Sequence, residues 1–378
     1  MSSLWPLVRF SLVLLAGMVL MTLPPPVDAG PQPFGRLDLD YGLHSEDASD
    51  LGDGHRLRRA RIGLAGSIDR HWSYRSQVDF ADNEVQFADA WLGYSGIDAG
   101  VVRAGQFKVP FSLDEQISSN ASTFIERALP NVFAPARRTG IGFHTQDDEV
   151  GFSVMGFGQR LGDSDDRVAE RANENYGIAA RVRGTPFHRD TRLLHLGLAV
   201  AQEKPRHEED QTVRFRPRPE SSIAGVNLVD TGEISDVDRL ERTGVEAAWR
   251  HGRFLAQGEY IGVDVDRSSG LDDYSVDGYY AQMSWMLTGQ RKRYRNGVFE
   301  NPRMRRGESA WEFAVRYSEV DLNDGALQGG TQRNKGFGLN YYPNANVRIM
   351  GNYLRMRSRF EGETDDPSVW LVRGQISF

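Results

Sequence analysis

The chain has 378 residues, no cysteine and a formal net charge of −7. Without cysteine the protein is not held by disulfides, and its acidic balance argues against nucleic acid as a partner. After the first 29 residues no stretch approaches the roughly 18 apolar residues of a transmembrane helix.

The first 29 residues have the pattern of a secretory signal peptide. Arg9 supplies a positive region, residues 10–23 form an apolar core, and Val27–Ala29 offers small residues to a signal peptidase. The apolar core is shorter than the roughly 20 residues of a membrane anchor. We therefore predict an exported protein that is cleaved near Ala29, with one mature domain at residues 30–378.

The mature chain shows period-two alternation of apolar and polar residues in segments of about 8 to 12 residues. In residues 311–318, for example, Trp, Phe, Val and Tyr alternate with Glu, Ala, Arg and Ser. One such segment would also fit a half-exposed soluble sheet. A soluble sandwich of this length, however, would need a second set of strands with an uncharged inner face, and the sequence has none.

The persistence of this pattern, with aromatic residues at the segment ends, predicts an all-β fold: a transmembrane antiparallel β-barrel of about sixteen strands. The predicted strands begin near Phe34, Arg56, His71, Val85, Asp98, Thr139, Glu149, Asn175, Arg192, Glu241, Gly252, Asp273, Glu308, Thr331, Asn346 and Pro367. Three long polar connections are predicted at 161–173, 204–240 and 288–307. Such barrels place short turns at one end and long loops at the other.

Residues 211–220 contain Arg214, Arg216 and Arg218 at every second position. An extended chain points all three guanidinium groups the same way. Two intervening prolines remove backbone donors, which favours an extended loop over a central strand. Three like charges on one side repel each other unless an anion binds, although a solvated basic loop would show the same pattern.

Several segments resemble the phosphate-selective porin O and P family. They are Arg58–Leu64, Asp89–Tyr94, Gly105–Leu113, Ser118–Asn120, Phe124–Pro130, Ala134–Arg138, Arg218–Glu220 and Thr231–Gly232. The resemblance implies a sixteen-stranded, homotrimeric outer-membrane channel for small anions, with phosphate or polyphosphate as the solute in well-studied members. The expected surroundings are outer-membrane lipid and lipopolysaccharide. No cofactor is expected. The resemblance also implies an arginine ladder that an inward-folded loop carries into the lumen, and Arg214, Arg216 and Arg218 lie where that ladder is expected.

The wall of the barrel supplies further candidates for the lumen. Arg59 and Arg61 alternate with apolar residues, so they face the lumen if those residues face lipid; Arg58 has the opposite parity and is expected near a rim. Lys108 is also a lumen candidate. Arginine suits an anion path because its planar fork offers several donors that replace the hydration of a passing anion.

Residues 110–138 are predicted to form the inward-folded constriction loop, with a short helix from Asn120 through Ala128. By position in this loop, Ser118 and Ser119 would supply neutral donors and Arg127 a cation. Further charge would come from Arg137 and Arg138, where the chain returns to the wall. On the wall itself Asp89 is predicted to face the lumen, and by resemblance it marks the narrow zone.

Two other functions stay open. A general diffusion porin without phosphate selectivity is one, because the early inward loop contains Asp114 and Glu115 and lysine is scarce. An outer-membrane hydrolase with a Ser/His pair is the other. The histidines are scattered and lie in no nucleophile motif, and no spacing indicates a metal site. The sequence therefore predicts a passive channel rather than an enzyme.

Overall fold

The computed structural model describes residues 30–45, 47–162, 175–205, 211–268 and 270–378. The predicted signal peptide lies outside the described residues, as do parts of the long connections predicted at 161–173 and 204–240. Within the described ranges, no helix is long and apolar enough to cross a membrane.

Sixteen antiparallel strands of the described chain form one closed sheet. They are β1 (Gln32–Ser45), β2 (Gly54–Ser67), β3 (Trp72–Asp79), β4 (Gln86–Ile97), β5 (Gly100–Lys108), β6 (Arg137–His144), β7 (Val150–Phe157), β8 (Tyr176–His188), β9 (Arg192–Lys204), β10 (Val237–His251), β11 (Phe254–Arg267), β12 (Tyr274–Met286), β13 (Ala310–Asp324), β14 (Leu327–Tyr342), β15 (Val347–Phe360) and β16 (Ser368–Ser377). Each strand pairs with the next, and β1 closes the ring by pairing with β16. The predicted sixteen-stranded barrel is confirmed. The largest errors in strand starts are four residues, at β10 and β14.

Each strand has an apolar face and a polar face. On β13, Trp311 and Phe313 are 38% and 41% exposed, whereas Glu312 and Ala314 between them are 0% and 1% exposed. A porin wall turns its apolar face to lipid and its polar face to the interior. The strongly exposed apolar side chains therefore mark the outside of the barrel.

Aromatic side chains on the outer face form two girdles. The upper girdle, on the side of the barrel end where β1 ends and β16 begins, comprises Tyr260, Tyr279, Tyr317, Phe337, Tyr353 and Trp370. Within this girdle, the ring centroids of Tyr279 and Tyr317, of Phe337 and Tyr353, and of Tyr353 and Trp370 lie 4.8–5.9 Å apart. The lower girdle comprises Trp72, Tyr94, Trp249, Phe254, Trp285, Trp311 and Tyr341. Such girdles lie at the two membrane–water interfaces, so they bound the lipid-facing band.

The two ends of the barrel differ. At the end where β1 begins and β16 ends, here called the terminus end, most connections are short turns. The opposite end, here called the loop end, carries residues 109–136 and 205–236. The predicted long connection 288–307 does not belong to the loop end, because it follows an even-numbered strand and therefore lies at the terminus end. It folds into a short hairpin of Arg293–Arg295 and Val298–Glu300.

Residues 109–136 contact the polar faces of strands on different sides of the barrel. Ser112 Oγ lies 2.7 Å from Glu259 on β11, and the Ile125 amide donates to Asn352 on β15 at 2.8 Å. The terminus-end hairpin packs on the same segment, since Tyr294 and Phe299 share an apolar cluster with it. The 109–136 segment therefore packs against the wall, and the hairpin of the terminus-end connection packs on that segment.

The predicted helix from Asn120 through Ala128 is wrong. The structure has a four-residue helix at Leu113–Gln116, with Ser112 as its N-cap, and a 3-10 helix at Leu129–Phe133. Two further short elements lie in the described part of the chain, a 3-10 helix at Ala81–Asn83 and a strand at Glu363–Asp365. Residues 121–125 are rich in Ser, Thr and β-branched side chains, which favour non-helical backbone. Their backbone groups bond to the wall instead.

Candidate anion pathway

A cavity of about 630 Å³ near the loop end is lined by nine arginines and four carboxylates. We call it the loop-end cavity. Its arginines are Arg56, Arg58, Arg59, Arg61, Arg127, Arg137, Arg138, Arg160 and Arg218. The excess of cations makes the cavity a favourable environment for anions.

A second cavity of about 470 Å³ lies nearer the terminus end, and we call it the terminus-end cavity. It is lined by six cations, namely Arg36, Arg61, Arg75, Arg103, Lys108 and Arg137, and by one carboxylate, Asp89. Two of these guanidinium groups stack on aromatic rings, Arg75 on Phe34 at 4.0 Å and Arg103 on Trp91 at 4.1 Å. Such stacking holds a guanidinium in place while its edge stays free to donate.

The two cavities share three lining residues: Arg61, Ser119 and Arg137. These residues come from β2, the 109–136 segment and the start of β6. Ser119 accepts a hydrogen bond from Arg36 at 2.9 Å. The shared residues thus form a junction between a cavity at each end of the barrel, along the side formed by β1 to β6.

A β-bulge concentrates the arginines of β2 on the inner face. Asp38 pairs with Arg59 and Leu39 with Leu57, so Arg58 has no partner residue on β1. The extra residue lets both Arg58 and Arg59 point inward. Arg58 pairs with Glu126 at 2.7 Å. The expectation that Arg58 lies at a rim is therefore wrong, because the bulge changes the parity of the strand.

The wall arginines are partly neutralised by carboxylates. Arg61 pairs with Asp79 at 2.7 Å, and Arg59 with Asp38 at 3.2 Å. Asp89 lies between two cations, with Arg137 at 2.8 Å and Arg75 at 3.1 Å. Partial neutralisation weakens the hold on an anion at each site, which conduction requires.

The predicted lumen residues in and beside the 109–136 segment line the cavities or anchor the segment. Lys108 donates to the backbone oxygen of Ile117 at 3.0 Å and lies 3.7 Å from Glu115, so it anchors the segment as well as lining the terminus-end cavity. Arg127 pairs with Glu115 at 3.1 Å. Ser118 lines the terminus-end cavity, and Arg138 lines the loop-end cavity.

The three alternating arginines of residues 211–220 have different surroundings. All three are exposed on one side of the chain, and Phe215 between them is buried against Phe133 at 5.4 Å. Arg214 makes a two-pronged pair with Asp230, with bonds of 2.5–3.1 Å, and this pair raises the pKa of Arg214.

Arg218 alone of the three lines the loop-end cavity. Partial desolvation in the cavity and the neighbouring positive charges of Arg58 and Arg56 lower the pKa of Arg218. Neither Arg214 nor Arg216 lines either cavity.

The sequence reasoning did not single out Arg36, Arg56, Arg75, Arg103 and Arg160. For two of them the alternation along the strand could have predicted an inward side chain, since Arg36 and Arg75 alternate with outward apolar residues. Glu220 belongs to the Arg218–Glu220 motif, but the sequence alone predicts no role for it. The structure shows it buried, contacting Arg316, Ser318 and the Leu129 amide.

Replacing Asp89 by Asn is expected to strengthen anion binding. The variant leaves Arg75 and Arg137 without their shared carboxylate, so a passing anion meets two more available cations. We expect phosphate to inhibit chloride current at roughly tenfold lower concentration, for about 1.4 kcal/mol of added attraction. The measurement is single-channel current against phosphate concentration. Asp53→Asn, an exposed change on the loop between β1 and β2, serves as the control. Unchanged inhibition would contradict the expectation.

Comparison with known proteins supports a channel. The family described as "Phosphate-selective porin O and P" matches residues 34–378. Porin O of Pseudomonas aeruginosa is 24% identical over 368 residues, covering 86% of this chain and 82% of that protein. An uncharacterised Caulobacter vibrioides protein is 27% identical over 84% of this chain, but the match spans only 65% of its own length.

Solved structures of low sequence identity share the fold. An anion-selective porin from Comamonas acidovorans aligns with a TM-score of 0.62 at 13% identity, covering 92% of this chain and 99% of that one. The outer-membrane channel DcaP of Acinetobacter baumannii aligns with a TM-score of 0.60 at 11% identity, covering 95% and 100%. The family and the barrel point to the bacterial outer membrane and to a channel rather than an enzyme. The chain belongs to the phosphate-selective porin O and P family.

Proposed function

We propose that the protein is a passive channel for small anions, phosphate among them. The observation that carries the proposal is the pair of arginine-lined cavities that meet at Arg61, Ser119 and Arg137. Together they offer an anion successive guanidinium donors from one end of the barrel to the other. Phosphate suits such a path because its oxygens accept the two parallel bonds that a guanidinium fork donates.

In this proposal residues 109–136 form the constriction. The contacts of this segment with the polar faces of β1, β11 and β15 support a course through the lumen. The segment packs against β9, β10 and β11 and against the terminus-end hairpin, and in this proposal the side of β1 to β6 is left for the solute. The path is therefore off the barrel axis.

The three alternating arginines, Arg214, Arg216 and Arg218, contribute unequally in this proposal. Arg218 receives anions at the loop end, and Arg214 with its Asp230 partner stabilises the extended course of the loop. The signal-peptide pattern of residues 1–29 supports a mature protein that begins near Gly30, and the resemblance to its family supports a homotrimer.

The proposal is tested in planar bilayers under a KCl gradient. We expect a reversal potential on the chloride side and a chloride current that phosphate reduces. Arg218→Ala is expected to weaken the phosphate effect more than Arg214→Ala, because Arg214 is already paired. A near-zero or cation-side potential without a phosphate effect would make the protein a general diffusion porin.

A further inference from the structure

Five cations face outward on two neighbouring strands near the loop end. On β14, Arg333 and Lys335 alternate with buried Gln332 and Asn334. On β15, Arg355, Arg357 and Arg359 alternate with buried side chains in the same way. These five residues are here called the basic sector. They lie on the face opposite to the lumen, so the anion pathway does not use them.

The sheet register places these cations against each other. Lys335 pairs with Arg355, and Arg333 pairs with Arg357, as direct neighbours across the two strands. Like charges directly opposite each other destabilise an antiparallel sheet. A compensating anion would relieve this repulsion.

The protein itself supplies only part of that compensation. Arg333 pairs with Glu319 at 2.8 Å, and Arg355 with Asp366 at 3.0 Å. In the described part of the chain, Lys335, Arg357 and Arg359 form no ion pair. A cavity of about 100 Å³ is lined by Arg333, Arg357, Arg359, Thr331 and Ser358.

The basic sector lies at the level of lipid headgroups. Phe337 and Tyr353 of the upper girdle occupy the next outward positions towards the membrane, with ring centroids 5.3 Å apart. An aromatic girdle marks the membrane–water interface, and the end with long loops is the extracellular one in such barrels. The cations therefore stand beside the headgroups of the outer leaflet.

We propose that the basic sector binds the phosphorylated headgroup of lipopolysaccharide. Clusters of Lys and Arg at a membrane surface attract anionic headgroups, and each cation adds to the affinity. Phosphate oxygens can bridge the opposed cations of β14 and β15 and so remove their repulsion. The proposal does not depend on the solute of the channel.

The test compares the purified protein with a variant in which Lys335, Arg357 and Arg359 are changed to Gln. Binding of bisphosphorylated lipid A and of its dephosphorylated form is measured by native mass spectrometry. We expect the variant to bind the phosphorylated lipid roughly 100-fold more weakly. Binding of the dephosphorylated lipid is expected to be weak for both proteins.

A matched control changes Arg303, Arg305 and Arg306 to Gln. These three exposed arginines lie at the terminus end, so the control has the same net charge but an intact basic sector. We expect it to bind like the parent protein. Arg357→Lys keeps the charge and is expected to retain binding, which separates charge from folding.

Three outcomes would overturn the proposal. One is equal binding by the parent protein and the triple variant. Another is equal binding of the phosphorylated and dephosphorylated lipids. The third is a changed oligomeric state of the triple variant that by itself accounts for its weaker lipid binding, which would make the basic sector a contact between copies of this chain.

Discussion

Changing Arg61 and Arg137 together to Gln is expected to lower the ratio of anion to cation permeability by roughly tenfold or more. Both side chains line both cavities, so every solute on the proposed path passes them. A guanidinium about 10 Å from an anion contributes about 1.7 kcal/mol at an effective dielectric constant of 20, before screening by salt. The double variant also leaves Asp79 and Asp89 with less compensation, which adds repulsion.

The measurement is the reversal potential under a KCl gradient, repeated at low and high ionic strength. Since screening weakens the attraction, the difference from the parent protein is expected to shrink at high salt. Arg303→Gln with Arg305→Gln makes the same change of charge in the exposed terminus-end connection and serves as the control. An equal loss of selectivity in this control would show that total charge, rather than the junction, determines permeability.

Changing Glu220 to Gln is expected to loosen two connections, residues 109–136 and 211–236, from the inner face of the wall while the wall itself stays folded. These two connections are here called the interior connections. Glu220 is 2% exposed and joins three parts of the molecule. It accepts from Arg316 and Ser318 on β13, and from the Leu129 amide at 3.1 Å. Its loss leaves the buried Arg316 guanidinium without a carboxylate, which costs about 3–5 kcal/mol. The cross-strand bonds of the wall do not involve Glu220, so the cost falls on residues 109–136 and 211–236.

We expect a higher single-channel conductance, a weaker phosphate effect and faster proteolysis of the two connections. Glu233→Gln is the control, because that side chain is exposed in the same connection. A double change of Glu220 and Arg316 to Gln is expected to be less disruptive than Glu220→Gln alone, since no buried charge is left unpaired. If Glu220→Gln instead prevented the barrel from forming, Glu220 would belong to the folding of the wall.

The strand count and the inward direction of many wall residues could be predicted from the sequence. Side chains of a strand alternate between two faces with a period of two. This rule is local, so residues such as Arg59, Arg61 and Asp89 could be assigned to the interior one strand at a time. The rule fails where a bulge intervenes, as Arg58 shows, because the extra residue is visible only in the pairing with β1.

The interior connections could not be predicted in the same way. The fold of residues 109–136 depends on partners such as Asn352 and Glu220, which are 227 and 91 residues distant from the groups they contact. The position of the 288–307 connection at the terminus end follows from the even number of strands before it. Arg214 and Arg218 have different surroundings because Arg214 pairs with Asp230, whereas Arg218 lines the loop-end cavity.

The sequence by itself therefore determined the class of fold, the family and the two faces of the wall, because alternation and motifs are properties of short segments. Only the tertiary structure decided which cations meet, which are neutralised and where the lumen stays open. Those properties depend on contacts between distant residues. A closed barrel brings such residues together whatever their separation along the chain.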